Sequence, residues 1–207
     1  MAHKDTLNQQ VYSGIKTQLL SGSMAPGERL DGRALEERFK VSSTPIRIAF
    51  GRLFAERLLE QTPSDGSFHT PYITERWLTG LYVVEDEVLA CCVRLARNVS
   101  GSAAAVRASA YPSADDFVAL AETTFLEIAQ ASDNFELVAI MRNLNDRLRS
   151  VRVLKGELFP DRGQEISAIR EAWAEQDISA LSSQLHAYHR RRLKQVRSIV
   201  AAVDRLH

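Results

Sequence analysis

Two short helical patterns separated by a polar turn, in residues 35–53, constrain the fold of this chain more than any other feature. In the first pattern, Leu35 and Phe39 are about one helical turn apart and share a face. Pro45 follows the turn and suits the start of a second helix, because its missing N–H would lack a helical partner there anyway. The apolar positions of this second pattern are Ile46, Ala49, Phe50 and Leu53. The arrangement is typical of a helix-turn-helix.

The residues before the turn predict one further helix. An apolar stripe indicates a helix over residues 6–20, with Thr6 as its N-cap. Residues 32–39 are then expected to form the second helix, and Ser42 or Ser43 can cap the third.

After the third helix the pattern changes to that of a short hairpin. Residues 58–62 and 67–70 flank a turn that contains Asp65 and Gly66. Asp-Gly favours a hairpin turn, because glycine accepts a positive φ. Three helices followed by a hairpin predict a winged helix-turn-helix, which we place in residues 1–72.

The distribution of charge is more informative than its sum. The chain has 26 Lys and Arg against 26 Asp and Glu, so its net charge neither favours nor excludes nucleic acid. Between positions 38 and 57, however, five cations face one acid, Glu56. The cations are Arg38, Lys40, Arg47, Arg52 and Arg57. This local excess favours DNA binding, and the alternative is a solvated basic face on an ordinary helical domain.

The cysteines and the apolar segments point to no metal motif and no membrane. Cys91 and Cys92 are adjacent and belong to no CxxC pattern, which favours two buried thiols in a reducing compartment. The N-terminus lacks the apolar core of a signal peptide, and no apolar run approaches 18 residues. We therefore expect a cytoplasmic protein without membrane contact.

Helical periodicity dominates the rest of the chain, residues 73–207, and no segment alternates convincingly. Thr74 is a candidate N-cap for the first helix of this part. The helical patterns cover residues 75–99, 113–131, 135–159, 162–176 and 178–206. The predicted fold is thus mainly α, with a C-terminal all-α bundle of roughly six helices.

The N-terminal part resembles the GntR family of regulators. Residues 42–53 are similar to the family signature that opens the recognition helix, and Pro26-Gly-Glu-Arg-Leu30 resembles the segment before its second helix. The resemblance implies DNA contacts at Arg33, Ser43, Thr44, Arg47, Arg52 and Gly66. An arginine near the start of such a helix can reach guanine O6 and N7.

Three positions depart from the family pattern. Ser43 stands where the family usually has arginine, so one strong contact is missing. Ile48 replaces the usual glutamate, and Asp65 lies in the wing where a cation is common. The consensus operator of the family is therefore not expected to transfer unchanged.

The C-terminal part resembles the FCD domain of the FadR branch of this family, through residues 124–134 and 164–173 and through Asp177. Many members hold a divalent metal with one carboxylate and three histidines. Here two of the histidine positions are Leu126 and Ile166, the third falls at or beside Tyr188, and Glu122 keeps the carboxylate. Without two imidazoles such a site loses most of its affinity, so we expect no metal, no cofactor and a more apolar cavity.

The resemblance also implies a set of residues that contact an effector. Glu85 stands where arginine is common, and Arg142 is polar on an amphipathic helix, although surface exposure is an open alternative for it. The complete expected set is Glu85, Glu122, Leu126, Arg142, Ile166, Tyr188 and His189. His186 and His189 could pair on a metal, but the cations at 190–192 and 194 favour a solvated basic face.

The leading hypothesis from the sequence is a homodimeric regulator that binds an inverted-repeat operator and responds to a small organic effector, with repression as the default. The alternative is a dimeric DNA-binding protein whose bundle lacks an effector. An enzyme is disfavoured, since no Ser-His-Asp string, nucleotide-binding glycine loop or HExxH motif occurs.

Overall fold

A computed structural model describes residues 2–96, 117–154 and 158–206. The chain forms two compact units, residues 1–73 and 74–206. Each unit has its own buried core, and each is described separately below.

Three helices and a small hairpin make up the N-terminal unit. The elements are α1 (Ala2–Leu20), α2 (Gly32–Phe39), α3 (Ser43–Ala55), β1 (Glu60–Gln61) and β2 (Phe68–His69). The two strands are antiparallel, with Glu60 opposite His69 and Gln61 opposite Phe68. The predicted winged helix-turn-helix is confirmed. The predicted N-cap at Thr6 is wrong, because α1 begins four residues earlier, at Ala2.

The residues that flank α2 and precede α3 define where these two helices begin and end. Asp31 caps α2, since its carboxylate accepts from the amides of Arg33 and Ala34 at 2.9 and 3.2 Å. Lys40 ends the helix in the left-handed region, with φ of 53°. Ser42 occupies the N-cap position of α3, but its side chain makes no capping bond.

The core of this unit holds α3 against α1 and the wing. Pro45, Ile46, Ala49, Phe50 and Leu53 form the buried stripe of α3. Val11 and Ile15 of α1 are each 1% exposed in the same cluster. Phe68 of the wing packs on Phe50, with ring centroids 5.2 Å apart. The opposite face of α3 is therefore held towards solvent on a rigid support.

The C-terminal unit is an all-α bundle, as predicted. Its described helices are α4 (Glu75–Ala96), α5 (Phe117–Gln130), α6 (Phe135–Leu154), α7 (Arg162–Ala174), α8 (Ile178–Lys194) and α9 (Val196–Leu206). Helix α4 is central, since it packs against α5, α6, α8 and α9. Thr74 caps α4 by accepting the Trp77 amide at 3.1 Å. None of the described helices combines the length and apolar character needed to cross a bilayer.

Some predicted helix boundaries differ from the structure. The pattern over residues 178–206 is two helices and not one, because the chain breaks at Gln195. Helix α6 is described as far as Leu154, residues 155–157 of the predicted helix fall outside the described residues, and Phe159 is buried and not helical. The predicted stretches 97–99 and 113–116 fall outside the described residues.

Candidate functional site

The solvent-facing side of α3 forms a continuous surface for a partner. Thr44, Arg47, Ile48 and Gly51 are exposed and recur at the spacing of one helical face. Ser43 is also exposed at the start of the helix. Since the opposite stripe is buried, the rotation of α3 about its axis is set by the core.

Two arginines on the helix-turn-helix are free to contact a ligand. Arg47 is exposed, and among the described residues its side chain has no hydrogen bond or ion pair within the chain. Arg33 is exposed at the first turn of α2, and there its backbone amide, not its guanidinium, is bonded to Asp31. Both cations are therefore presented without an internal carboxylate to compensate them.

Arg52 differs, because its guanidinium is held within the domain. It lies over the Tyr12 ring, 3.6 Å from the centroid. It also donates to Gln9 at 2.8 Å and to Glu56 at 3.3 Å. The side chain remains half exposed, so these contacts fix its direction without burying it.

A polar seam joins the same end of α3 to α1. The Tyr12 hydroxyl donates to the Glu56 carboxylate at 2.7 Å, and the Lys16 ammonium donates to it at 3.0 Å. Burial raises the pKa of Glu56, but the hydrogen bonds from Tyr12 and Lys16 outweigh it and leave the pKa lowered. Glu56 is thus an ionised anchor between the two helices.

The wing tip contains the predicted glycine in a conformation that requires it. Gly66 has φ of 70°, and its amide donates to the Thr62 carbonyl at 2.9 Å. Asp65 accepts the Ser67 amide at 3.0 Å and lies 3.5 Å from the Arg29 guanidinium. Hydrogen bonds from Ser67 lower the pKa of Asp65, so it is ionised beside Arg29. The negative charge in the wing is therefore partly compensated.

The bundle encloses a buried ionic cluster. Glu85 of α4 and Arg152 of α6 are both 0% exposed, and their side chains are 2.5 Å apart. Arg152 also donates a hydrogen bond to the side-chain Oδ1 of Asn145 at 3.0 Å. His189 of α8, likewise fully buried, places Nε2 3.2 Å from Glu85. We refer to Glu85, Asn145, Arg152 and His189 as the central cluster.

Both ring nitrogens of His189 face oxygen atoms inside the bundle. Its Nδ1 faces the Leu185 carbonyl at 2.8 Å and its Nε2 faces the Glu85 carboxylate at 3.2 Å. Burial alone would raise the pKa of Glu85, but the interactions with Arg152 and His189 outweigh burial and lower the pKa to about 2.

Glu122 lies at the edge of the central cluster. Its carboxylate pairs with Arg149 and lies 3.9 Å from Arg152. The Glu122 backbone carbonyl accepts a hydrogen bond from the side-chain Nδ2 of Asn145 at 3.0 Å. Burial raises the pKa of Glu122, although Arg152 and Arg149 oppose this. The two carboxylates nearest Arg152 thus have pKa values displaced in opposite directions.

Four residues of the expected effector set lie in or beside this cluster, namely Glu85, Glu122, Tyr188 and His189. Tyr188 is buried next to His189, with ring centroids 5.0 Å apart. Ile166 is fully buried and Leu126 is half-buried. Arg142 is exposed on α6.

Arg152 was not among the residues expected from the sequence, although the sequence contains a signal for it. Met141, Leu144, Leu148 and Val151 form the inward stripe of α6, and positions 145 and 152 extend the same stripe. An arginine on an apolar stripe is rarely left inside without a partner. The pattern therefore indicated a buried cation, but not which acid pairs with it.

The predicted solvated basic face on α8 is wrong for two of its members. His189 and Arg192 are buried, while His186 and Arg190 are exposed. Arg192 pairs with Glu165 at 2.7 Å. Helical periodicity explains the split, because 185, 189 and 192 lie on the face that packs into the bundle.

The residues present do not fit a metal of the kind that FCD domains hold. Leu126 and Ile166 offer no donor atoms at two of the histidine positions. Among the described residues, no group of three His, Cys, Asp or Glu side chains is arranged to hold an ion. The Arg152 guanidinium brings a fixed positive charge to the central cluster instead.

Comparison with known sequences identifies the N-terminal unit. Residues 7–68 match the profile of the bacterial regulatory proteins of the gntR family. The chain is 31% identical over 136 residues to the Nta operon transcriptional regulator of Aminobacter aminovorans, covering 61% of this chain and 64% of that protein. It is 33% identical over 91 residues to the transcriptional regulator McbR of Escherichia coli, covering 44% of this chain and 41% of McbR. The matches thus span less than two thirds of either relative.

Solved structures extend the similarity to the bundle. The structure of E. coli McbR/YncC superposes with a TM-score of 0.67 at 18% identity, over 93% of this chain and 97% of that one. A protein from Rhodococcus sp. RHA1 described as a GntR transcriptional regulator gives a TM-score of 0.72 at 19% identity, over 92% and 97%. At these identities the similarity concerns the fold alone, and it includes the fold of the C-terminal helical bundle.

Proposed function

Because residues 7–68 match the gntR family of bacterial regulatory proteins, we propose that the chain is a homodimeric transcriptional repressor of that family. In this proposal residues 1–72 bind an inverted-repeat operator, and residues 73–207 dimerise and bind a small organic effector. The observation that carries the proposal is the exposed face of α3, on which the Arg47 side chain has no hydrogen bond or ion pair with any described residue.

The geometry suits major-groove binding. A recognition helix enters the groove with its N-terminal residues against base edges, which is where Ser43, Thr44 and Arg47 lie. Arg33 at the start of α2 suits a phosphate or base-edge contact, and Gly66 allows the wing tip to approach the backbone of DNA. Fluorescence anisotropy with the DNA upstream of its own gene tests the proposal. Binding no tighter than to random DNA at physiological salt would contradict it.

For Arg52 we propose a positioning role, in addition to any contact with phosphate. Arg52→Ala removes the contact with Tyr12 and the bonds to Gln9 and Glu56. We expect the free energy of unfolding to fall by roughly 1 kcal/mol, because these contacts are half exposed. Thermal melts of Arg52→Ala and Arg47→Ala provide the comparison, since Arg47 makes no such contacts. If Arg52→Ala loses DNA affinity but keeps the wild-type melting temperature, Arg52 contacts DNA directly and the positioning role is contradicted.

A second copy of this chain fits the exposed face of α4. Arg76, Gly80, Val83, Val84 and Glu87 are exposed along this face. Arg76 and Glu87 are separated by three helical turns, so an antiparallel copy of α4 brings each Arg76 to the partner's Glu87. The apolar residues between them then pack in the centre, and Gly80 allows the two helices to approach closely. The face is thus self-complementary in charge and in shape, as a two-fold interface requires.

A charge introduced at the centre of this face tests the dimer. We expect Val84→Glu to place a buried like-charge pair at the interface and to shift the protein from dimer to monomer in sedimentation experiments. Ile140→Glu on α6 is the matched control, because Ile140 is similarly exposed but lies on another helix. If Val84→Glu sediments as wild type, this face is not the interface.

Effector binding is supported by buried polar atoms for which the described part of the chain provides no hydrogen-bond partner. The Tyr188 hydroxyl and the Arg152 Nε are both buried, and neither has a hydrogen-bond partner among the described residues. A small organic molecule with a polar group could supply those bonds. A thermal-shift screen of organic acids and related metabolites tests this, since a ligand of the native state raises the melting temperature. A hit must then also change operator affinity to count as an effector.

The second candidate function is a regulator without an effector. The mutual pairing of Glu85, Arg152 and His189 favours it, because these charges are already satisfied inside the bundle. Operator binding unaffected by any compound that stabilises the protein would support this alternative.

A further inference from the structure

We propose that Ile48 and Gly51 form an apolar contact for the C5 methyl group of a thymine in the major groove, next to the base read by Arg47. This inference rests on the proposed DNA binding and adds the base class that α3 selects. The observation behind this inference is that an exposed isoleucine, Ile48, and an exposed helical glycine, Gly51, lie side by side on the solvent-facing side of α3.

Ile48 lies at the centre of the exposed face of α3. It follows Arg47 directly, is one turn after Thr44, and is 49% exposed. About half of this β-branched apolar side chain stays in contact with solvent, because it lies outside the buried stripe of α3. The GntR signature has glutamate here, which can accept a hydrogen bond from the amino group of cytosine, whereas isoleucine cannot form hydrogen bonds.

Gly51 occupies the same face one turn further on, and the fold offers no reason for it. A Cβ at this position would meet no atom within 4 Å, and its φ is not positive. By contrast, a Cβ at Gly14 would meet the Phe39 ring at 2.6 Å. Glycine inside a helix destabilises it by about 0.5–1 kcal/mol relative to alanine. The open space above Gly51 therefore suits the close approach of a group from outside the chain.

The two residues together define the chemistry of that group. Residues three apart on a helix are neighbours, so Ile48 borders the gap above Gly51 on one side. The resulting surface is apolar and shallow, and it offers no side-chain donor or acceptor. The apolar feature of unmodified base edges in the major groove is the thymine methyl group. Arg47, adjacent along α3, would read a guanine beside it.

Deoxyuridine scanning tests the proposal on the full-length protein. The operator is first defined with wild type, and each thymine is then replaced singly by deoxyuridine, which lacks only the methyl group. We expect one position per half-site to lose about three- to fivefold in affinity, the range expected for one buried methyl group. Ile48→Ala should bind the thymine and deoxyuridine operators equally at that position, while Ile48→Val should keep the preference.

The outcomes separate this inference from the proposed function. If wild type binds no DNA specifically, the proposed function fails. If it binds specifically but no deoxyuridine substitution changes its affinity, or if Ile48→Ala keeps the wild-type preference, the methyl contact is overturned.

Gly51→Ala provides an independent readout in which two effects have opposite sign. We expect the melting temperature to rise, because alanine is the better helix former and its Cβ has room. We expect operator affinity to fall at least about threefold, since the added methyl keeps the base from the helix. A rise in melting temperature without loss of affinity would remove Gly51 from the contact.

Discussion

Glu85→Ala is expected to lower the free energy of unfolding of the C-terminal unit by about 3–5 kcal/mol, the range for breaking a buried ion pair from one side. The substitution leaves the Arg152 guanidinium inside the bundle without its carboxylate and removes the partner of His189 Nε2. Chemical denaturation followed by helical circular dichroism measures the change. A loss below about 1 kcal/mol would show that the pair is not buried in solution.

A matched exposed pair and a double variant sharpen this test. Arg197 and Glu75 form an ion pair at 3.4 Å, but their side chains are 87% and 55% exposed. Arg197→Ala should therefore change stability by less than about 1 kcal/mol. The double variant Glu85→Leu with Arg152→Met should lose less than the sum of the two single variants, because neither charge is then left unpaired.

The same pair predicts the response of the bundle to acid. The pKa of Glu85 is lowered from 4.5 to about 2, so its contribution is complete above pH 4.5 and is lost as the pH falls towards 2. The raised pKa of Glu122 acts in the opposite direction. Glu85→Gln should flatten the fall in stability between about pH 4.5 and pH 2. An acid transition identical to that of wild type would assign the loss to other carboxylates.

Arg47→Ala is expected to weaken operator binding by at least about tenfold at physiological salt, since a bidentate arginine–guanine contact contributes about 1–3 kcal/mol and a dimer makes two of them. The melting temperature should not change, because the Arg47 side chain is exposed and has no partner among the described residues. Fluorescence anisotropy with the operator and with a scrambled duplex separates lost reading from lost general affinity.

Arg190→Ala is the control for charge in this experiment. Arg190 is also exposed, but it lies on α8 in the bundle. The Arg190→Ala substitution removes the same formal charge as Arg47→Ala, and it should leave the preference for the operator over scrambled DNA intact. If Arg47→Ala retains full discrimination between operator and scrambled DNA, α3 does not read bases through this residue.

Much of the N-terminal unit could be predicted from local sequence. The apolar spacing in α3, Pro45 in its first turn and Gly66 at the wing tip each express a short-range requirement of the backbone. The start of α1 was missed, because Thr6 offered a plausible cap that the helix does not use. The hydrogen bond from Arg52 to Gln9 was missed for another reason. Its partner Gln9 is 43 residues away, and no local pattern indicates that contact.

The sequence by itself determined where the helices lie, which face of each is apolar, and which family the reading helix resembles, because these properties depend on residues within a few turns of one another. Only the tertiary structure decided which polar residues are buried together. Arg152 meets Glu85 across 67 residues, and His189 meets it across 104. Such pairs form because a buried charge requires a counter-charge, and the packing of α4, α6 and α8 selects which one is within reach.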